Sequence, residues 1–340
     1  MKSPEIAVVD HKNQDALSAV RAVIGADMQQ VDAVIRARLS SEVALINQIS
    51  GYIIGAGGKR LRPVLVLLSG LTFNAPPAKL HELAAVIEFI HTATLLHDDV
   101  VDESDLRRGK ATANAEFGNG ASVLVGDFLY SRAFQMMVGV GSMDVMRVLA
   151  EATNIISEGE VLQLMNIGDA DIDEENYLRV VRYKTAKLFE AAARVGALVG
   201  DAKATQIDQI AQYGMHLGTA FQLIDDVLDY SGQADEIGKN LGDDLAEGKP
   251  TLPLIYALRT GNIAQQKIIR NAIEGAGDPS VEVDIANVVA TLVATGALDY
   301  TTACARREAE TARDAVANLP KSSYRDALMQ LAAFSVDRRY

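Results

Sequence analysis

Apolar residues recur every three or four positions along much of the chain. Near the N-terminus Val20, Ile24, Met28, Val31, Ile35 and Leu39 fall on one helical face, and Leu83, Val86, Ile87 and Ile90 do so farther on. That is the period of an amphipathic helix, and alternating, strand-like segments are scarce. Proline placement agrees, because proline breaks helix interiors. The eight prolines stand at 4, 63, 76, 77, 250, 253, 279 and 320, leaving a proline-free stretch rich in Ala, Leu, Met, Glu and Gln from 78 to 249. Breaks are expected at 55–58, 74–77, 118–120, 168–173, 232–250, 275–279 and 318–323, where Gly, Pro, Asn and Asp gather. No Gly-rich spacer or low-complexity tract divides the chain. The pattern predicts one all-α domain of long helices over residues 1–340, with a mobile tail over 1–15.

Charge narrows the function. A formal net charge of −13 opposes generic binding to nucleic acid or to an anionic membrane, which needs a basic face. An anionic ligand must then be gripped by local basic clusters or by metal ions. The single cysteine, Cys304, has no intrachain disulfide partner and no evident catalytic role, and the segment "MKSPEIAVVDHKNQDA" lacks a basic-then-apolar signal pattern, so a cytoplasmic protein is expected. Apolar runs such as "VLVLLSGLTF" fall short of the roughly 20 residues that span a bilayer. Membrane contact would be transient at most.

One acidic pattern occurs twice. Asp98-Asp99-Val-Val-Asp102 and Asp225-Asp226-Val-Leu-Asp229 both read D-D-x-x-D. On a helix, residues four apart share a face, so Asp98 lies over Asp102 and Asp225 over Asp229. Like charges at that spacing cost roughly 0.2–0.5 kcal/mol per pair, so a polycation must offset the repulsion if the site is ordered. Hard oxygen donors in this arrangement suit Mg²⁺, which bridges carboxylates to substrate phosphates. A lone cluster would be read as a solvated acidic helix face. Here each cluster follows an apolar run, "VIEFIHTATLLH" and "TAFQLI", which places both where a buried helix meets a water-filled opening.

Basic residues complete the picture. "GGKRLRP" supplies Lys59, Arg60 and Arg62, of which Arg60 is best read as surface charge; Arg107 and Arg108 follow the first acidic cluster. "YKTAKLFE" supplies Lys184 and Thr185, and "GKNLGDDLAEGKPTLPL" supplies Lys239, Asp243, Asp244 and Lys249. A Walker A loop would need Gly at 53 and Ser or Thr at 60, where Ile53 and Arg60 stand, and no complete G-x-G-x-x-G is present. Carboxylates for Mg²⁺ and scattered Lys and Arg for phosphate oxygens describe a diphosphate site with room for two diphosphates.

As a set, "GGKRLRP", "LLHDDVVDESDLRRG", "YKTA", "FQLIDDVLDY" and "GKNLGDDLAEGKPTLP" resemble, in order across 57–254, the trans-isoprenyl diphosphate synthase (polyprenyl synthetase) family, and its long-chain bacterial members most closely. The resemblance implies an isoprenoid-synthase-type helical bundle around a deep central cavity, usually a homodimer. It implies Mg²⁺ on Asp98, Asp102 and Asp225, three ions per site with substrate bound, supported by Asp99 and Asp226 with Asp229 nearby. It implies an allylic diphosphate on Arg107, Lys184, Lys239 and Lys249, with Thr185 and Gln222 beside the reacting carbon, and isopentenyl diphosphate on Lys59, Arg62, His91 and Arg108. His91 alone would pass for a core histidine, but it precedes Asp98 by two turns on one face.

Product length should depend on Ala93 and Thr94, five and four residues before Asp98, where short-chain relatives commonly carry bulky aromatics. Their small size lets a growing chain pass deeper, toward a floor expected at Phe134, Met136 and Met137, although such a stripe is more often plain core. The expected product is a C40 all-trans polyprenyl diphosphate for quinone side chains such as that of ubiquinone, grown from farnesyl diphosphate. The alternatives are a shorter C15–C20 synthase and a non-catalytic subunit of a heteromeric one. A terpene cyclase fits less well, because its second metal motif typically mixes Asn, Ser or Thr with Glu. A plain acidic metal-binding bundle leaves the paired lysines and arginines unexplained.

Overall fold

The computed structural model describes residues 4–55, 58–107, 109–231, 241–276 and 283–337, nearly all of them helical. Helix α1 (Pro4–Leu39) covers most of the segment expected as a tail. It is followed by α2 (Ala44–Gly55), α3 (Leu61–Thr72) and α4 (Pro77–Val101). A hairpin of two-residue strands, β1 (Leu106–Arg107) and β2 (Lys110–Ala111), separates these from α5 (Ala113–Phe117), α6 (Asn119–Val140) and α7 (Met143–Asn166). Helix α8 (Glu174–Val181) runs through a π-helical turn at Arg182–Ala186 into α9 (Lys187–Leu198), and α10 (Ala204–Ser231) follows. The remainder comprises α11 (Asp243–Ala246), α12 (Leu252–Thr260), α13 (Ile263–Glu274), α14 (Ile285–Thr295), α15 (Ala297–Ala317) and α16 (Ser323–Asp337).

The expected periodicity is realised in packing. Val20, Ile24, Val31, Ile35 and Leu39 of α1 are buried, as are Leu83, Val86, Ile87 and Ile90 of α4. Both sets belong to one large apolar cluster shared with α3, α6, α9 and α16. Two smaller clusters form beyond it: Tyr230, Leu245, Leu254, Ile273 and Leu292 in one, Tyr177, Leu223, Ile224, Leu252 and Ile255 in the other. Helix ends follow local chemistry. The Ser142 and Asp173 side chains accept from the backbone N–H of Val145 and Asn176, and Asn262 with Gln265 forms a reciprocal capping box. Each such cap contributes about 1 kcal/mol.

Breaks occur near the expected positions within the described residues, and others were not foreseen. Gly141 between α6 and α7 and Gly296 between α14 and α15 adopt φ of 71° and 72°, a left-handed conformation that ends a helix while the apolar pattern runs on. No single described helix is long and apolar enough to cross a membrane.

Two long helices position the site. Helix α4 has 25 residues and α10 has 28, about 37 and 42 Å at 1.5 Å per residue. Each carries its aspartate cluster at its C-terminal end. Helices α3 and α9 complete the frame by backbone contact: a Cβ on Gly196 would stand 2.4 Å from the Val66 carbonyl oxygen. Gly196→Ala is therefore expected to lower stability by about 1–3 kcal/mol, read as a reduced urea midpoint. An unchanged midpoint would show that the two backbones are not in contact.

Candidate active site

The two aspartate clusters line one cavity of about 950 Å³. Asp98 and Asp102 stand on one wall, and Asp225, Asp226 and Asp229 on the other, joined by Asp243, Asp244, Glu160 and Glu247. Both clusters lie where a helix ends, and a helix C-terminus carries roughly half a negative charge and unpaired carbonyls. Carboxylates and dipoles thus add. Burial raises the carboxyls of Asp98 and Glu247, and it pushes Glu160 up to about 7 and Asp226 to about 8.

Cations offset this charge. Lys184 Nζ stands 2.5 Å from Glu160 and 3.8 Å from Asp98. Lys249 Nζ donates to Asp102 at 2.8 Å and also to Glu247. Burial alone would lower the Lys249 ammonium, yet Asp102 and Glu247 together raise it. Arg107, on β1, donates from Nε at 2.8 Å and Nη2 at 2.6 Å to Asp99 Oδ1. Asp99 is nearly inaccessible and does not reach the cavity wall. The expectation that Asp99 supports the metal site is thereby refined: it turns 100° from Asp98 along the helix and anchors Arg107.

A hydrogen-bonded chain organises the opposite wall. Thr185 Oγ1 donates to Gln222 Oε1 at 3.0 Å, and Gln222 Nε2 donates to Asp226 Oδ1 at 2.8 Å. Buried Tyr177 donates to Asp226 Oδ2. Asp229 Oδ2 accepts the Asp244 backbone N–H, at 3.3 Å, which ties α10 to α11. Thr185 spends its proton on Gln222, so its oxygen lone pairs are free to face the cavity. Thr185 and Lys184 both lie on the π-helical turn, where the locally wider helix meets α7 closely: a Cβ on Gly159 would be 2.6 Å from the Lys184 nitrogen.

A second basic group lines the cavity along α3 and α4. Arg62 Nη1 is 3.2 Å from His91 Nε2, and its guanidinium lies over Phe189 at 4.4 Å. Lys59 Nζ lies 5.9 Å from the Phe334 ring centre. Arg60, expected as surface charge, is instead mostly buried and pairs with Asp32 at 3.7 Å and Glu88 at 3.5 Å, because α1 and α4 pack on either side of it. His91 precedes Asp98 by seven residues, about 10 Å along α4.

The remaining expected residues divide. Arg108 and Lys239 lie outside the described residues. Thr94 is on the cavity wall, whereas Ala93 is fully buried beside it and off the wall, because five residues advance a helix by 500°. Phe134 packs against Tyr130, Met136 and Met137 are buried in the main core, and none of the three lines this cavity. Cys304 is buried on α15, away from the wall. Glu160, Glu247 and Tyr177 were not singled out from the sequence. Each sits in an ordinary amphipathic or loop segment, and only folding brings it to a motif residue.

The wall offers carboxylate oxygens, as Mg²⁺ requires, but no three acidic or histidine side chains converge into a closed cage among the described residues. An open set suits an ion that keeps waters and shares ligands with a diphosphate.

Fold and site together define an all-α enzyme that handles diphosphates between acidic walls. The chain matches the family model for polyprenyl synthetase over residues 43–292. It is 50% identical over 331 residues to octaprenyl diphosphate synthase of Haemophilus influenzae, covering 97% of this chain and 100% of the relative. It is 51% identical to octaprenyl diphosphate synthase of Escherichia coli strain K12, covering 95% and 99%. The crystal structure of polyprenyl synthase from Caulobacter crescentus complexed with calcium and isoprenyl diphosphate superposes with a TM-score of 0.91 at 42% identity, over 95% of this chain and 98% of that one. The chain belongs to the polyprenyl synthetase family, whose members are magnesium-dependent prenyltransferases.

The raised carboxyls make stability depend on pH. The unfolded chain releases these protons near pH 4, whereas Glu160 and Asp226 keep theirs to about 7 and about 8 when folded. In that window the folded state binds more protons, so stability falls as pH rises. Melting temperatures without divalent metal should therefore decline from about pH 5 to about pH 8. Asp226→Asn should flatten the upper part of the decline. An identical slope in that variant would contradict the assignment.

Proposed function

We propose that the protein condenses isopentenyl diphosphate head-to-tail onto an allylic diphosphate, with farnesyl diphosphate as primer, to build an all-trans C40 polyprenyl diphosphate for quinone side chains. The observation that carries this reading is the pairing of two acidic helix ends across one cavity with two separate basic groups, Lys59 and Arg62 beside His91 and Arg107, Lys184 and Lys249 beside the first aspartate cluster. The similarity to octaprenyl diphosphate synthases supports the product length.

Asp98, Asp102 and Asp225 would hold Mg²⁺, three ions per site with substrate bound. Bound there, Mg²⁺ would supply positive charge to offset what develops on the departing diphosphate. Arg107, Lys184 and Lys249, with Lys239, bind the allylic diphosphate, and Asp99 fixes the Arg107 guanidinium in place. Fixed positive groups aimed at that charge supply the main stabilisation of the transition state. As the allylic C–O bond breaks, positive charge on the carbon is stabilised by the Thr185 oxygen, oriented through Gln222 and Asp226. Lys59, Arg62, His91 and Arg108 hold isopentenyl diphosphate so that its double bond attacks this carbon. The new C–C bond leaves a cation that loses a proton to the departed diphosphate, giving a chain five carbons longer. No protein nucleophile takes part.

A homodimer fits the exposed apolar residues Leu124 on α6 and Val161, Leu164 and Met165 on α7, which a partner of the same kind would cover. The single cysteine fits a reducing cytoplasm. Product release would involve transient membrane contact.

The direct test is incubation with Mg²⁺, labelled isopentenyl diphosphate and farnesyl diphosphate, with products sized by mass spectrometry. A ladder ending near C40 is expected. Termination at C15–C20 would mark a short-chain synthase, and no elongation by folded protein would mark a subunit that needs a partner. Ala93→Phe and Thr94→Phe are expected to shorten products to about C20, because the close-packed core leaves a new ring only the cavity side to enter. An unchanged ladder in either variant would remove that residue from the tunnel. The floor is proposed to lie beyond this cavity wall, where Phe134 and Met137 pack, so Phe134→Ala and Met137→Ala should lengthen the longest product; an unchanged longest product in both would remove them from the floor.

A further inference from the structure

The two lysines on the acidic walls are held differently. Lys249 rests directly on Asp102 at 2.8 Å, with Glu247 sharing its ammonium. Lys184 is drawn to Glu160 at 2.5 Å and stands off Asp98 at 3.8 Å. An ammonium in contact with a carboxylate occupies the oxygen that a divalent cation would use. Asp98 is therefore the more open of the two first-wall aspartates, and the group that keeps it open lies outside both D-D-x-x-D motifs.

We propose that Glu160 is a positioning residue that retains the Lys184 ammonium and so leaves Asp98 available to a divalent cation. The inference rests on the reading of Asp98 as a cation ligand. Its geometry is built into the backbone. Gly159 brings α7 to within 2.6 Å, at a notional Cβ, of the Lys184 backbone nitrogen, so the neighbouring Glu160 rises beside the root of the Lys184 side chain. Without the Glu160 carboxylate, Asp98 becomes the near acceptor, and Lys184 closes on it as Lys249 closes on Asp102. Glu160 therefore acts through Lys184 rather than as a ligand. The same contact serves the bound state: once a diphosphate draws Lys184 forward, Glu160 fixes the direction from which it approaches.

The test is calorimetric titration of Mg²⁺ in saturating inorganic diphosphate, for the native protein, Glu160→Gln, Lys184→Met and the double variant. Glu160→Gln should raise the Mg²⁺ dissociation constant about five- to tenfold in the native background, and less than about twofold where Lys184 is already absent. Glu160→Ala, which removes the same oxygens, should repeat the pattern. Equal weakening in both backgrounds would show that Glu160 acts as general negative charge and would overturn the proposal. So would no change in the native background. If the native protein binds no Mg²⁺ with diphosphate present, the cation site itself is wrong, a failure distinct from the first two.

Discussion

Two helix C-termini carrying carboxylates meet across one partly desolvated cavity, and the rest of the site exists to make that tolerable. Each terminus adds dipolar negative charge to its own aspartates. Burial then raises the cost of every ionised group, which is why Glu160 and Asp226 hold protons to about 7 and about 8. The chain answers with lysines and an arginine that cross between elements, joining the π-helical turn to α7 and α4, the segment after α11 to α4, and β1 to α4. Their arrangement balances part of the wall's negative charge, and on the proposed function a divalent cation with a diphosphate would balance more of it.

Division of labour within each aspartate pair follows from helix rotation. Asp98 faces the cavity while Asp99 turns into the protein and grips Arg107; Asp225 faces the cavity while Asp226, buried at the same wall, receives Tyr177 and Gln222. In both motifs one carboxylate is presented and its neighbour is used as scaffold. The scaffold carboxylate orients a group that would touch substrate, Arg107 in one case and Thr185 by way of Gln222 in the other. Doubling the aspartates therefore gives each wall a presented carboxylate and the means of placing its neighbours.

What the sequence made legible was whatever depends on local spacing. The apolar faces of α1 and α4 and the presentation of Asp98, Asp102 and Asp225 follow from 3.6 residues per turn, and so does the place of His91 on the Asp98 face of α4; its approach to Arg62 on α3 was implied only by the family resemblance. Features set by contact between distant segments were not legible. Glu160 looks like any acidic residue of an amphipathic helix until the π-helical turn brings Lys184 to it. Tyr177 and Asp226 lie 49 residues apart. The π-helical turn itself, Arg182–Ala186, carries no local signal, because its sequence suits an α-helix equally well. Ala93 shows the limit from the other side: a spacing of five was close enough to suggest the wall, and the rotation takes its side chain off it.

The most direct test of the account is a crystal structure grown with Mn²⁺ and an unreactive allylic thiodiphosphate, with the metals located by anomalous scattering. The account predicts Mn²⁺ between the diphosphate and Asp98, Asp102 and Asp225, with the Lys249 ammonium moved from Asp102 onto a diphosphate oxygen and the Lys184 ammonium shared between Glu160 and a diphosphate oxygen. Metal bound elsewhere, or Lys249 still seated on Asp102 with the ligand in place, would contradict it.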